Sequence, residues 1–136
     1  MGDFLQLLRE SEGTRAWFSF SCRDGEHISD GTPIRECAAL FENDPQVVAV
    51  GVNCTAPRLM SSLIAEVRRG APTQSIVAYP NSGETYSAED NAWFGTVTPG
   101  DCASAARAWI NAGAKIVGGC CRMGPEHIRA MRRALT

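Results

Sequence analysis

Hydrophobic residues along the chain fall into two alternating patterns. Short, nearly unbroken runs occupy residues 16–22, 47–52, 75–79 and 115–118. They are rich in β-branched and aromatic side chains and apolar on both faces, which predicts buried strands of a covered parallel sheet. Between them, apolar residues recur at helical spacing. Thr32-Pro33 predicts an N-cap with proline at the first helical position, followed by Ile34, Cys37, Ala38 and Phe41. Leu59, Met60, Leu63, Ile64 and Val67 make a second stripe that Gly70 stops. Cys102, Ala105, Ala106, Trp109 and Ile110 make a third, with Gly113 as the stop. Pro125 opens a last helix with Ile128, Met131 and Leu135 facing inward, and a short helix around Phe4, Leu5, Leu7 and Leu8 precedes everything.

The strand starts lie roughly 30 to 40 residues apart, the length of a βα unit. The chain therefore reads as an α/β domain over residues 1–136, a helix followed by four βα units. Two architectures fit: a small open α/β sheet, or half of a (β/α)8 barrel, whose usual size is about 250 residues. A half barrel leaves two raw sheet edges and one face meant for a barrel interior, so alone it should be sticky.

Composition narrows the classes of function. The 136 residues are 44% hydrophobic and 21% charged, a globular balance that disfavours disorder. Thirteen basic and fifteen acidic residues leave a net charge of −2, which disfavours a protein working on nucleic acid through a strong basic field. Arginine outnumbers lysine twelve to one, a composition bias without functional content. No apolar run approaches the roughly 20 residues that cross a bilayer. The opening Met1-Gly2-Asp3-Phe4-Leu5-Gln6 shows neither a signal-peptide pattern nor a myristoylation site, so a soluble, cytoplasmic protein is expected.

In that compartment the six cysteines, Cys22, Cys37, Cys54, Cys102, Cys120 and Cys121, are expected reduced, and those that cluster read as metal ligands or catalytic groups rather than disulfides. Functional groups of parallel α/β folds gather just beyond the carboxyl ends of strands. Residues 22–27, 53–55, 80–84 and 119–122 fall there. Three thiolates from two strand ends can converge on one ion, with Gly118-Gly119 giving the backbone freedom for Cys120 and Cys121 to point the same way. Tetrahedral zinc with three protein ligands keeps an open position. A substrate thiol is its natural occupant, bound as thiolate although a free thiol has a pKa of about 8.5. Spacing alone leaves alternatives open. Cys54 by itself fits a buried structural cysteine, Cys22 competes as a ligand, and Cys120-Cys121 also fits a switchable disulfide. Cys37 and Cys102 sit on apolar helical stripes and belong to the core. His27 in a polar loop and His127 in a first helical turn are not expected as ligands, and Arg129, Arg132 and Arg133 read as a solvated helix face. Asn53-Cys54-Thr55 matches a glycosylation acceptor only formally, and Asn81-Ser82-Gly83 is a turn signal first.

Several of these residues carry a resemblance. Gly51-Val52-Asn53-Cys54, then Pro80-Asn81-Ser82-Gly83-Glu84 with Trp93 downstream, then Gly118-Gly119-Cys120-Cys121-Arg122 followed by Pro125 and His127-Ile128, resemble the homocysteine S-methyltransferases. Residues 23–33 look especially like the bacterial enzymes that use S-methylmethionine. The resemblance runs from about Ala16 to Leu135. It implies the carboxyl-terminal half of a (β/α)8 barrel, with zinc held by Cys54, Cys120 and Cys121 and the homocysteine sulfur as fourth ligand. It implies methyl transfer from S-methylmethionine or S-adenosylmethionine to homocysteine, giving methionine. Asn53, Asn81 and Glu84 are placed to shape the substrate mouth. The missing half implies a fragment, a homodimer of half barrels or pairing with a separate amino-terminal half, and little activity from the chain alone. The competing reading is a zinc-binding or interaction remnant without catalysis.

Overall fold

A computed structural model describes residues 2–89, 92–95 and 97–136. Helix α1 (Gly2–Glu10) leads into β1 (Ala16–Phe20), α2 (Ile34–Ala39), β2 (Val47–Asn53), a short 3-10 turn (Pro57–Leu59) and α3 (Met60–Gly70). Then come β3 (Ile76–Tyr79), a hairpin of β4 (Thr85–Ser87) and β5 (Ala92–Phe94), α4 (Pro99–Ala112), β6 (Ala114–Val117) and α5 (Pro125–Leu135). The main sheet has the order β1-β2-β3-β6, and every pairing in it is parallel. Strands alternate with helices as the patterning predicts, and the sheet has the form of half a (β/α)8 barrel.

Side-chain alternation splits the sheet into two unequal faces. Phe18, Phe20, Val50, Val52, Ile76 and Ala78 face the helices and join one core with Ile34, Phe41, Leu63, Ile64, Val67 and Trp109. Phe41 lies beyond the last residue of α2, yet it is fully buried and stacks on Phe18 at 4.4 Å between ring centroids. The opposite face carries Trp17, Ser19, Val77, Tyr79 and Ile116. Here the expectation of a sheet covered on both faces needs correcting. Trp17 is 59% exposed and Ile116 47%. The Tyr79 hydroxyl joins this face together, bonding to the Ser19 hydroxyl and accepting from the Trp17 indole N–H at 3.3 Å.

Other boundaries shift for identifiable reasons. The first strand stops at Phe20 rather than residue 22, because the chain folds back on itself and Cys22 bridges Ile28. Pro33, in extended backbone, takes the cap position of α2 that the sequence assigns to Thr32, and no side chain caps this helix. In α5 the buried positions are His127 and Met131, one turn apart. Ile128 and Leu135, expected inward, are 45% and 40% exposed. In α1 it is Leu8 that enters the core, while Phe4 and Leu7 stay exposed. The β4–β5 hairpin was not anticipated. Trp93 lies on β5, and its side chain is outside the described residues. Gly113 does end α4, at φ +121.

The fold-back after β1 is organised by Asp24. Its carboxylate accepts the N–H groups of Glu26 (2.8 Å) and His27 (2.7 Å) and contacts the His27 ring nitrogen at 3.0 Å. These bonds, the one from Glu26 foremost, hold its pKa down at about 2, from an ordinary 3.8. A depressed carboxylate stabilises the fold at any pH above its ordinary value and loses that contribution as the pH falls through the lowered one. An NMR titration should place the Asp24 midpoint near pH 2. A midpoint at 3.8 would show the carboxylate disengaged.

Candidate metal centre

The site is built at the carboxyl ends of neighbouring strands. Cys54 is the first residue beyond β2, and Cys120 and Cys121 follow β6 by two glycines. Between them runs the segment after β3, which ties both cysteine loops by main-chain bonds. Cys54 N–H donates to the Tyr79 carbonyl (3.1 Å) and Cys120 N–H to the Pro80 carbonyl (2.8 Å). Asn81 N–H donates to Thr55 (3.2 Å) and Ser82 N–H to the Cys121 carbonyl (3.1 Å). The Asn81 side chain adds a bond from its amide nitrogen to the Cys54 carbonyl (3.2 Å), while its oxygen accepts Gly83 N–H (2.8 Å).

This bracing brings the three sulfurs together. Cys54 Sγ lies 3.4 Å from Cys121 Sγ, and Cys120 Sγ lies 3.9 Å from Cys121 Sγ. All three fall within 4.8 Å of one another. Tetrahedral zinc with sulfur at about 2.3 Å requires sulfurs about 3.8 Å apart. The donor set therefore fits such an ion in both chemistry and spacing. Cys22, the competing ligand, lies outside the cluster. Its thiol is directed at the Phe20 carbonyl, and burial pushes its pKa up to about 12. Cys37 and Cys102 are buried in the core, as expected.

The cluster polarises its own thiols. Cys54 donates to Cys121, which pushes Cys54 up to about 11 and holds Cys121 below the ordinary thiol value. Cys120 also bonds to Cys121, the exposed member of the three. The backbone bends sharply at the same place. Cys54 (φ +46) and Arg122 (φ +61) are left-handed, a region that disfavours residues with a Cβ. Neither Gly118 nor Gly119 takes a positive φ, so the turning expected of the glycines is done by the residues at and after the cysteines.

Beside the sulfurs opens a pocket of about 360 Å³ lined by Cys54, Asn81, Ser82, Glu84, Cys121 and Arg122. Glu84 is almost wholly buried there and pairs with the Arg122 guanidinium. Asn53 ends β2 in register with Tyr79. Sequence reasoning placed Thr55, Ser82 and Arg122 in strand-end segments but gave them no role of their own. Thr55 is 3% exposed and its hydroxyl accepts Cys22 N–H at 2.9 Å, so the third residue of the apparent glycosylation triplet is buried beneath the fold-back. Small hydroxyl residues directly after a strand-end cysteine and asparagine were the available signal. His127 is indeed no part of the cluster. Its Nδ1 accepts Gly124 N–H and its Nε2 lies 3.1 Å from the Val97 carbonyl, pinning the start of α5 to the hairpin side.

Comparison with known proteins bears on this constellation. Residues 4–135 match the family model for homocysteine S-methyltransferase. Homocysteine S-methyltransferase 4 of Zea mays is 47% identical over 137 residues, covering 97% of this chain and 40% of its own length. Homocysteine S-methyltransferase YbgG of Bacillus subtilis is 43% identical over 125 residues, covering 92% of this chain and 39% of its own. Among solved structures, the metallated form of the homocysteine methyltransferase MmuM from Escherichia coli superposes with a TM-score of 0.76 at 37% identity. That match covers 96% of this chain and 39% of the other. The chain thus spans about two fifths of the length of the curated relatives it matches. No helix among the described residues is long and apolar enough to cross a membrane. With its motifs, its sheet and its sulfur cluster in agreement, the chain belongs to the homocysteine S-methyltransferase family.

Proposed function

We propose that this chain supplies the zinc-binding portion of a homocysteine S-methyltransferase that converts homocysteine to methionine with S-methylmethionine or S-adenosylmethionine as donor. The observation that carries the reading is the convergence of three sulfurs within 4.8 Å beside an open pocket. Zinc bound there supplies Lewis acidity that stabilises an incoming thiol as thiolate at neutral pH. The chain's own residues do the rest. Cys54, Cys120 and Cys121 offer the donor atoms and release their protons to solvent. Asn53, Asn81 and Glu84 shape the mouth through which the substrates approach. In the transfer, the homocysteine sulfur forms a bond to the methyl carbon as the sulfonium C–S bond breaks. That electron pair stays on the donor sulfur, and the thiol proton goes to solvent. A sulfonium leaves readily, so alignment and nucleophile activation are the protein's main tasks.

The open sheet face bears on the rest of the reading. Trp17, Ile116 and the two sheet edges suit a covering layer, supplied by an amino-terminal half barrel, of the same or a separate chain, or by a second copy. The reaction belongs to methionine formation in the cytoplasm. The test mixes zinc-loaded chain with homocysteine and either donor, with and without the amino-terminal portion of a relative such as YbgG, and reads methionine by mass spectrometry. Methionine is expected with the added portion and little without it. Zinc binding with no methionine under either condition would replace this reading with the non-catalytic one.

A further inference from the structure

We infer that Glu84 is a positioning residue for the metal centre, acting through Arg122 to hold the turn that aims the two adjacent cysteines at one ion. The inference rests on the metal reading of the cluster and concerns how its geometry is maintained. Met123 N–H donates to the Cys120 carbonyl at 3.2 Å, closing a four-residue turn over residues 120–123. The third residue of that turn has φ +61, a conformation in which glycine is the ordinary choice. Arginine stands there instead. The side chain that makes arginine costly at this φ is the one that reaches Glu84.

The pair is asymmetric. The Arg122 side chain is 54% exposed and the Glu84 side chain 4%. Glu84 is therefore the fixed post, and Arg122 is drawn toward it. The carboxylate comes from the segment whose Ser82 N–H already grips the Cys121 carbonyl, so residues 82 and 84 hold both sides of the turn. Asn81 does the same at the other left-handed position, through its bond to the Cys54 carbonyl. A left-handed conformation is disfavoured for a residue that carries a Cβ. A turn released from its anchor relaxes away from that conformation and takes the Cys121 sulfur out of line.

The test compares wild type, Glu84→Leu and Glu84→Leu/Arg122→Gly. Zinc affinity is read by chelator competition, and cobalt(II) spectra report thiolate coordination through the sulfur-to-metal charge-transfer band. Circular dichroism establishes that each variant is folded. Leucine leaves no unpaired buried charge, because Arg122 reaches solvent. Glu84→Leu should weaken zinc about tenfold, which corresponds to about 1.4 kcal/mol, and diminish the cobalt charge-transfer band. The added glycine adopts the left-handed step without the Cβ penalty, so the double variant should return to within about threefold of wild type. A merely structural or substrate-contacting Glu84 would not be rescued by glycine at position 122. Unchanged zinc affinity in folded Glu84→Leu, or a double variant as weak as the single, overturns the inference alone. Failure of the wild type to take up either metal overturns the metal reading and this inference with it.

Discussion

Cys120→Ser should strip the protein of zinc. Structural zinc sites contribute about 10–16 kcal/mol at neutral pH, or roughly 3 kcal/mol for each of four ligands. Loss of one thiolate should therefore weaken binding by more than about a hundredfold. Serine keeps the size but replaces a soft donor with a hydroxyl that does not ionise at neutral pH. Among the described residues the ligand cluster comprises Cys54, Cys120 and Cys121 alone, so no further His, Cys, Asp or Glu stands ready to replace the lost thiolate. Cys22→Ser is the matched control, because that thiol bonds the Phe20 carbonyl away from the cluster and should leave zinc content unchanged. Metal analysis of dialysed, reduced protein reads both. Stoichiometric zinc in Cys120→Ser would move the ligand set elsewhere.

The second large effect is expected at a position with no polar chemistry. A Cβ on Gly51 would lie 1.7 Å from the Val77 carbonyl oxygen, an overlap with backbone that no rotamer relieves. Gly51 and Val77 are directly paired across β2 and β3, so Gly51→Ala must pry apart the two strands that lead to Cys54 and to the 80–84 segment. Overpacking usually costs about 1–3 kcal/mol, and a backbone clash belongs at or beyond the top of that range. A fall in melting temperature of about 10 °C is expected. Zinc affinity should fall with it, since Cys54 stands three residues further on. Gly100→Ala, where the Cβ would meet only the Thr98 hydroxyl at 3.8 Å, should leave the melt within about 2 °C of wild type. Equal melts for the two variants would show that β2 and β3 tolerate separation.

How much of this was legible before the structure differed from element to element. The alternation of apolar runs and helical stripes is strong because burial against helices enforces it, and the four parallel strands fall where the runs lie. Cys54, Cys120 and Cys121 were legible as strand-end thiols, and the family motifs joined them into one site. The geometry that makes the cluster was less so. Periodicity says nothing of φ, so the left-handed Cys54 and Arg122 and the ordinary Gly118-Gly119 run against the expectation that glycine does the turning. The bracing by Pro80, Asn81 and Ser82 uses mainly main-chain groups, which leave no mark in side-chain identity. The exposed Trp17 and Ile116 misled for another reason. A residue destined for a barrel interior is as apolar as one beneath a helix, and only the missing layer distinguishes them. The hairpin escaped because its three-residue strands are too short to show alternation.

Two of the three sulfurs follow an edge strand. β6 hydrogen-bonds to β3 on one side, and its other margin is the rim of the sheet. The vicinal cysteines follow the end of that strand by two glycines. A strand added at that rim would therefore hydrogen-bond directly to the element that leads into Cys120 and Cys121.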